Sequence, residues 1–317
     1  MFTADALARA LATVHAVQAP TPQYCWPLLS QRLGAQAWVK HENHTQVGAF
    51  KLRGGLVYLE ALRQREPHCA GVVSATRGNH GQSIGFAARR HGLAATIVVP
   101  RGNSVEKNAA MRALGVELIE QGDDFQAARE HAGQLAERHG LHMVPSFHDD
   151  LVRGVATYWL EFFAAVQPDV VFVPIGQGSG ICACAAARAH LGLRTRIIGV
   201  VSAHATAYQQ SFQAGRVIEA PVSTQLADGM ACRVPDAQAL EIMRREVDEV
   251  IAVTDGEVAA AMRALFTDTH NVAEGAGAAS LAGALQQRTR WLGRHVGIAL
   301  TGGNVDSEVF ARVLRAA

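Results

Sequence analysis

Charge is scarce in this sequence. Only 18% of the 317 residues are Asp, Glu, Lys or Arg, against about 25% in ordinary soluble chains. The charges present cancel, 29 Lys and Arg facing 28 Asp and Glu for a net charge of +1. Without a basic stripe interleaved with aromatics, a nucleic-acid surface has little support. Cysteine is sparse as well: Cys25, Cys69, Cys182, Cys184 and Cys232 are odd in number and contain no C-x-x-C pair. That argues against a disulfide scaffold and suits a reducing cytosol. Long apolar runs are missing, although 49% of residues are hydrophobic; none reaches the roughly 18 consecutive residues of a membrane helix. Asp5 and Arg9 interrupt an N-terminus that has no basic head and apolar run, so no signal peptide is read. These absences leave a soluble cytoplasmic protein, about two domains long, with a small-molecule partner.

What is present is alternation. Short β-branched runs at Gly71–Ser74, Ala95–Pro100, Val116–Ile119 and Leu141–Pro145 are each followed by a helical stretch. A second series follows at Val170–Ile175, Arg196–Val201, Val250–Val253 and Val296–Leu300. Continuous apolar strands alternating with helices predict parallel sheets buried on both faces. The charged stretch Phe147–Arg153 breaks the pattern, and an amphipathic helix runs from Val152 to Gln167. A lobe boundary near residue 148 follows. An early strand at Trp38–Lys40 lies well before Gly71, so the N-terminal part need not belong to the first lobe.

Glycines cluster where these strands end. Arg77-Gly78-Asn79-His80-Gly81-Gln82 follows the first strand, Gly176-Gln177-Gly178-Ser179-Gly180 follows VVFVPI, and Thr301-Gly302-Gly303-Asn304 follows VGIAL. Glycine there lets backbone N–H groups face a ligand at the carboxyl edge of a sheet. Residues 176–180 fan amides at a helix start into an anion nest suited to a phosphate. The loop is not a P-loop, since no Gly-Lys-Ser/Thr follows, and it misses the dinucleotide fingerprint and its acidic ribose partner. A nicotinamide oxidoreductase is therefore disfavoured.

The segment Gly48-Ala49-Phe50-Lys51-Leu52-Arg53-Gly54 resembles the G-S-F-K-x-R-G motif of fold-type II pyridoxal-phosphate enzymes, the threonine dehydratase and serine racemase family. G-N-H-G-Q, the glycine loop, E-x-x-G-A and T-G-G-N-V-D match the same family in order, from about Thr21 to Asp306. The resemblance implies an α/β fold of the tryptophan synthase β-like type, with two three-layer αβα lobes and pyridoxal 5'-phosphate in the cleft. It implies that Lys51 carries the cofactor and, once freed by substrate, acts as base at Cα. Phe50 would pack near the ring, Asn79 would meet the ring hydroxyl, and Gly176, Gln177, Gly178, Ser179 and Gly180 would hold the phosphate. Thr301 would meet the pyridine nitrogen as a neutral hydroxyl, giving a weaker electron sink that suits prompt loss of a β-substituent. Glu274 matches the acidic residue beside the cofactor. The loop of Thr76, Arg77, Gly78, Asn79 and His80 would bind substrate.

Departures from the family pattern narrow the activity. The usual Ser two residues before the lysine is Ala49. Arg77 stands where racemases of this family carry a Ser that serves as acid and base, and a guanidinium that stays protonated cannot shuttle a proton near neutral pH. Arg77 is instead suited to a carboxylate, either the substrate's α-carboxylate or a second one as on 3-hydroxyaspartate. The family's divalent-cation positions fall at Ser202 and Tyr208, so no metal is expected. Thr76-Arg77-Gly78-Asn79-His80-Gly81-Gln82 together with Gly48-Ala49-Phe50-Lys51 also resembles the threonine-dehydratase-like proteins of hydroxyectoine utilisation and the phenylserine dehydratases.

The expected activity is a pyridoxal-phosphate-dependent dehydratase that converts a β-hydroxy amino acid to a 2-oxo acid and ammonia. A racemase or β-replacement enzyme on the same cofactor is the enzymatic alternative. A non-catalytic cofactor- or amino-acid-binding protein is the alternative from another class. Residues 1–63 with 149–317 are expected to form the large lobe and 64–148 a small mobile one, in a homodimer. About a dozen residues follow Asp306, so no C-terminal regulatory domain is expected.

Overall fold

Helices and strands alternate along most of the computed structural model, which describes residues 2–316. The chain begins α1 (Ala4–His15), β1 (Gln23–Cys25), α2 (Pro27–Leu33), β2 (Gln36–His41) and α3 (Lys51–Arg65). It continues β3 (Gly71–Ala75), α4 (Asn79–Arg90), β4 (Ala94–Val99), α5 (Val105–Ala113), β5 (Glu117–Glu120), α6 (Phe125–His139) and β6 (His142–Met143). Next come α7 (Asp149–Ala165), β7 (Val170–Pro174), α8 (Ser179–His190), β8 (Arg196–Ser202), α9 (Ala207–Ala214) and α10 (Ala237–Glu246). The last elements are β9 (Glu249–Val253), α11 (Asp255–Thr269), α12 (Gly275–Gln286), β10 (His295–Leu300) and α13 (Ser307–Arg315).

The strands form two sheets. Six lie in the order β1-β2-β10-β7-β8-β9 and four in the order β5-β4-β3-β6. All pairs are parallel except β1 with β2, which is antiparallel with Gln23 opposite Lys40. Strand β1 is too short to be seen as a strand in the sequence, and the expected strand at Leu141–Pro145 contracts to the two residues of β6. The expected helix from Val152 begins three residues earlier, where the His148 side chain accepts from the Asp150 N–H and caps it.

Period-two side-chain alternation explains why the central strands are apolar on both faces. In β7, Val170 and Phe172 pack into a core with α2, α11 and α12, whereas Val171 and Val173 pack into a second core with α1, α7 and α8. The smaller sheet repeats the arrangement. Val72 of β3 packs with α3 and α4, and Val73 with α6. Both sheets are therefore three-layered, and their carboxyl edges carry the glycine-rich turns into one cleft.

Candidate active site

Lys51 is the first residue of α3, and three backbone ties set where it stands. Thr45 Oγ accepts from Ala49 N at 2.9 Å and donates to Ala49 O at 2.8 Å, while Phe50 N donates to Thr301 O at 2.9 Å. One half-turn on, Arg53 is fully buried and binds Glu42 (2.7 Å) on the turn after β2 and Glu161 (2.5 Å) on α7; Lys40 of β2 also reaches Glu161 at 2.6 Å. Two cations thus neutralise two carboxylates inside the protein, and the Glu161 carboxyl is held down at about 2 by Arg53 and Lys40 against the opposing effect of burial. The cluster fixes the root of α3 to β2 and α7. Lys51 Nζ donates to Ser179 Oγ at 2.9 Å and lies 4.9 Å from the Phe50 ring. With no anion beside it, desolvation lowers its pKa to about 8, which brings the neutral amine within reach of ordinary pH.

Facing Lys51, the loop 176–180 runs from the end of β7 into α8. The N–H groups of Gly176, Gln177 and Gly178 donate to no described residue. Gly178 has φ +96°, and a Cβ there would stand 2.7 Å from Ala239 Cβ and 3.1 Å from Tyr208 Oη. Only glycine suits that backbone and that wall.

Across the cleft, the loop 76–80 opens α4. Thr76 Oγ1 accepts from Gly78 N at 2.9 Å, and Gly78 has φ +154° with Lys107 Cδ 2.4 Å from where a Cβ would lie. Arg77 forms no ion pair among the described residues, and its Nε is buried without a partner. His80 is buried; desolvation, with the Lys51 charge nearby, lowers its pKa to about 3 and keeps it neutral. Its Nε2 has no partner. Asn79 Nδ2 donates to Glu274 Oε1 at 2.5 Å and Asn79 Oδ1 accepts from Asn304 at 2.8 Å. Glu274 stands at the N-cap of α12 without capping it. Its role is toward Asn79 and Lys107, and burial raises its carboxyl. Thr301 is buried, and its hydroxyl makes no hydrogen bond to another described residue.

All fourteen residues given a binding or catalytic role in the sequence line one cleft. Lys107 and Asp228 line it too and were missed. Lys107 reaches from α5 to Asp228 at 2.7 Å and Glu274 at 3.1 Å, and these two carboxylates raise its pKa against burial. A lysine on the buried face of an amphipathic helix, beside Asn108 and Met111, was the available signal.

Residues 14–302 match the family model described as pyridoxal-phosphate dependent enzyme. The chain belongs to this family. It is 37% identical over 288 residues to an L-threonine ammonia-lyase of Geobacter sulfurreducens, covering 90% of this chain and 71% of that one. It is 34% identical over 297 residues to an L-threo-3-hydroxyaspartate ammonia-lyase of Saccharomyces cerevisiae, covering 93% and 90%. Among solved structures it is similar to processed threonine deaminase isoform 2 from Solanum lycopersicum, with TM-score 0.89, 28% identity and coverage of 100% and 95%. A maize serine racemase gives TM-score 0.90 at 27% identity, covering 97% and 95%. The fold is the tryptophan synthase β-like one of fold-type II pyridoxal-phosphate enzymes, and the cofactor is pyridoxal phosphate.

The residues present suit that group. A pyridoxal-phosphate enzyme needs a nucleophilic amine, a phosphate cradle and a partner for the ring nitrogen. Here a lysine amine with a lowered pKa faces three backbone N–H groups without acceptors, and at the end of β10 Thr301 lines the same cleft with its hydroxyl bonded to no described residue. At the positions of the family's metal ligands, Ser202 Oγ accepts from His204 N at 3.1 Å and Tyr208 is a buried phenol. Among the described residues no three His, Cys, Asp or Glu side chains are grouped to hold a metal ion, and no helix is long and apolar enough to cross a membrane.

Proposed function

We propose that this chain is an ammonia-lyase that removes the β-hydroxyl of a β-hydroxy amino acid and yields a 2-oxo acid and ammonia. The observation that carries the reading is the low-pKa amine of Lys51 set between a phosphate cradle and a loop bearing an unpartnered arginine. Bound pyridoxal phosphate supplies an electron sink for the carbon that loses its proton. Lys51 takes and holds the Cα proton, a task its pKa of about 8 suits. Arg77 and the first N–H groups of α4 bind carboxylate, which places the Cα–H bond toward Lys51. Asn79, locked by Glu274 and Asn304, keeps one amide hydrogen for the ring hydroxyl, and the loop 176–180 holds the phosphate. Thr301 meets the ring nitrogen without protonating it, which favours loss of a β-substituent over a long-lived carbanion. Arg77 in place of a proton-shuttling Ser disfavours racemisation. The β-hydroxyl takes a proton from a bound water and departs as water, and the enamine that remains is released, tautomerises and is hydrolysed to the 2-oxo acid and ammonia.

Strand membership of the two sheets supports a mobile lobe of residues 64–148 that closes over substrate on a larger one of 1–63 and 149–317. A cytoplasmic homodimer is part of the same reading. The test is a panel of serine, threonine, 3-phenylserine and 3-hydroxyaspartate with wild type, Lys51→Ala and Arg77→Ala. Lys51→Ala is expected to lose the visible band of bound cofactor and all 2-oxo acid formation. Arg77→Ala is expected to raise KM at least tenfold, about 1.4 kcal/mol, on each substrate if it holds the α-carboxylate and on 3-hydroxyaspartate alone if it holds the second. Unchanged kinetics across the panel would sink the role of Arg77. Racemised substrate without 2-oxo acid would sink the elimination.

A further inference from the structure

The loop 176–180 has a back wall as well as a cleft face, and one side chain on that wall is polar. Tyr208, the second residue of α9, is 1% exposed. Its Oη donates to Gln177 O at 3.0 Å and accepts from Asp236 N at 3.1 Å. Asp236 is the N-cap of α10, its Oδ1 accepting from Ala239 N at 3.0 Å. Ala239 is the residue whose methyl closes the wall behind Gly178. The phenol therefore joins the loop to the start of α10. Burial pushes its pKa well upward, so it stays protonated and keeps donating.

The consequence follows from peptide geometry. In a planar trans peptide the C=O and the next N–H point in opposite directions. Holding the Gln177 carbonyl against Tyr208 on the wall turns the Gly178 N–H away from the wall and into the cleft. The φ of +96° at Gly178 then lets the chain enter α8 without swinging that amide back. Without the phenol, the Gln177 carbonyl would be buried without a partner, and the peptide could gain only by rotating toward the cleft. That rotation would present a carbonyl where an anion is to bind.

We propose that Tyr208 is a positioning residue for the cofactor phosphate, fixing the Gln177–Gly178 peptide so that its N–H faces the anion. The proposal rests on reading 176–180 as the phosphate loop, and it makes a demand that general packing does not. Loss of the phenolic hydroxyl must weaken binding of pyridoxal phosphate and spare pyridoxal, which has the same ring and aldehyde and no phosphate.

The test is equilibrium titration of apoprotein with each compound, followed by absorbance, for wild type and Tyr208→Phe. Phenylalanine keeps the ring that fills the wall. The expected result is a Kd for pyridoxal phosphate raised about five- to tenfold, the scale of one hydrogen bond, with pyridoxal unchanged. An equal loss for both ligands, or no loss for either, overturns the proposal. Should Tyr208→Phe not fold, Asp236→Ala loosens the amide that holds the phenol and is judged by the same ratio. Gln177→Glu separates the two levels of the argument by placing a charge on the loop itself. If Gln177→Glu leaves the preference for pyridoxal phosphate over pyridoxal intact, the phosphate-loop reading fails. If it removes the preference and Tyr208→Phe does not diminish it, only the role of Tyr208 fails.

Discussion

At Lys51 the decisive quantity is the free energy of its charge. An amine placed beside Ser179 and the Phe50 ring, with no carboxylate at hand, loses hydration and gains no ion pair in return. Its pKa falls to about 8. In the proposed role of Lys51 it is the neutral amine that would combine with the cofactor aldehyde, so the rate at which apoprotein takes up pyridoxal phosphate should rise with pH and level off above about 8. Stopped-flow absorbance across pH 6 to 10 measures this, and a rate still rising near pH 10 would show that burial has not lowered the pKa. The stability of apoprotein carries the same signature. Between about 8 and 10.5 the unfolded chain holds a proton on this lysine that the folded chain does not, so stability gained on raising pH is lost as pH falls back through that window. Lys51 was legible in the sequence because its neighbours form a motif. The lowered pKa was legible only as a chemical requirement, since it depends on what α8 and β10 bring beside the amine. For Lys107 only its place on the buried face of α5 was legible; its partners Asp228 and Glu274 were not, because they lie 121 and 167 positions along the chain and the pairing exists only once the cleft is built.

Among the elements, α3 and α7 matter most for the site, because α3 begins at Lys51 and α7 carries Glu161. They meet backbone to backbone. A Cβ on Gly154 would stand 2.3 Å from Arg53 O and 2.8 Å from Gly54 Cα, and one on Gly54 would stand 3.0 Å from Leu151 O. Gly154→Ala should therefore force the helices apart and destabilise apoprotein by about 1–3 kcal/mol, even though alanine is the better helix former. Gly133 on α6 provides the contrast, with nothing within 4 Å of its Cβ position. Gly133→Ala should stabilise by up to about 1 kcal/mol. Urea denaturation of both variants decides the matter: equal shifts of one sign would mean that the crossing does not depend on the glycine. Element type was readable where apolar strands such as β7 and β8 are buried on both faces. It failed at β1, where three residues pair because the longer β2 presents an edge, and at β6 it gave the type but not the extent, since only His142 and Met143 pair with β3; both are tertiary causes with no local pattern.

For the whole molecule, α3 and Leu151 of the larger lobe pack into the apolar core of the smaller sheet, against Val72, Ile84 and Ala88, whereas around the cleft the two lobes meet largely through polar groups. Ser104 and Asp306 are hydrogen-bonded, Ser307 Oγ donates to Glu106 at 2.6 Å, Asn304 bonds Asn79, and Lys107 bridges to Asp228 and Glu274. Polar contacts exchange for water at small net cost, whereas parting an apolar core does not, so the proposed mobile lobe can open at the cleft while the packing of α3 on α4 stays closed. The sequence pattern placed the lobe boundary near residue 148 by a break in periodicity but held no trace of the clasp. Lys107 is the strongest tie in it, being itself buried and neutralising Glu274, which is 3% exposed. Lys107→Met would leave that carboxylate uncompensated while the lobes stay closed, a cost on the order of 3 kcal/mol. Opening the cleft lets water reach Glu274 and avoids most of that cost. Hydrogen exchange in the variant should accordingly speed up at residues 104–107, 228–230 and 274–276 while the amides of β3, β4, β7 and β8 stay protected. Faster exchange throughout both sheets would instead mean that Lys107 holds the fold as a whole, and the polar seam would then not be the place where the molecule opens.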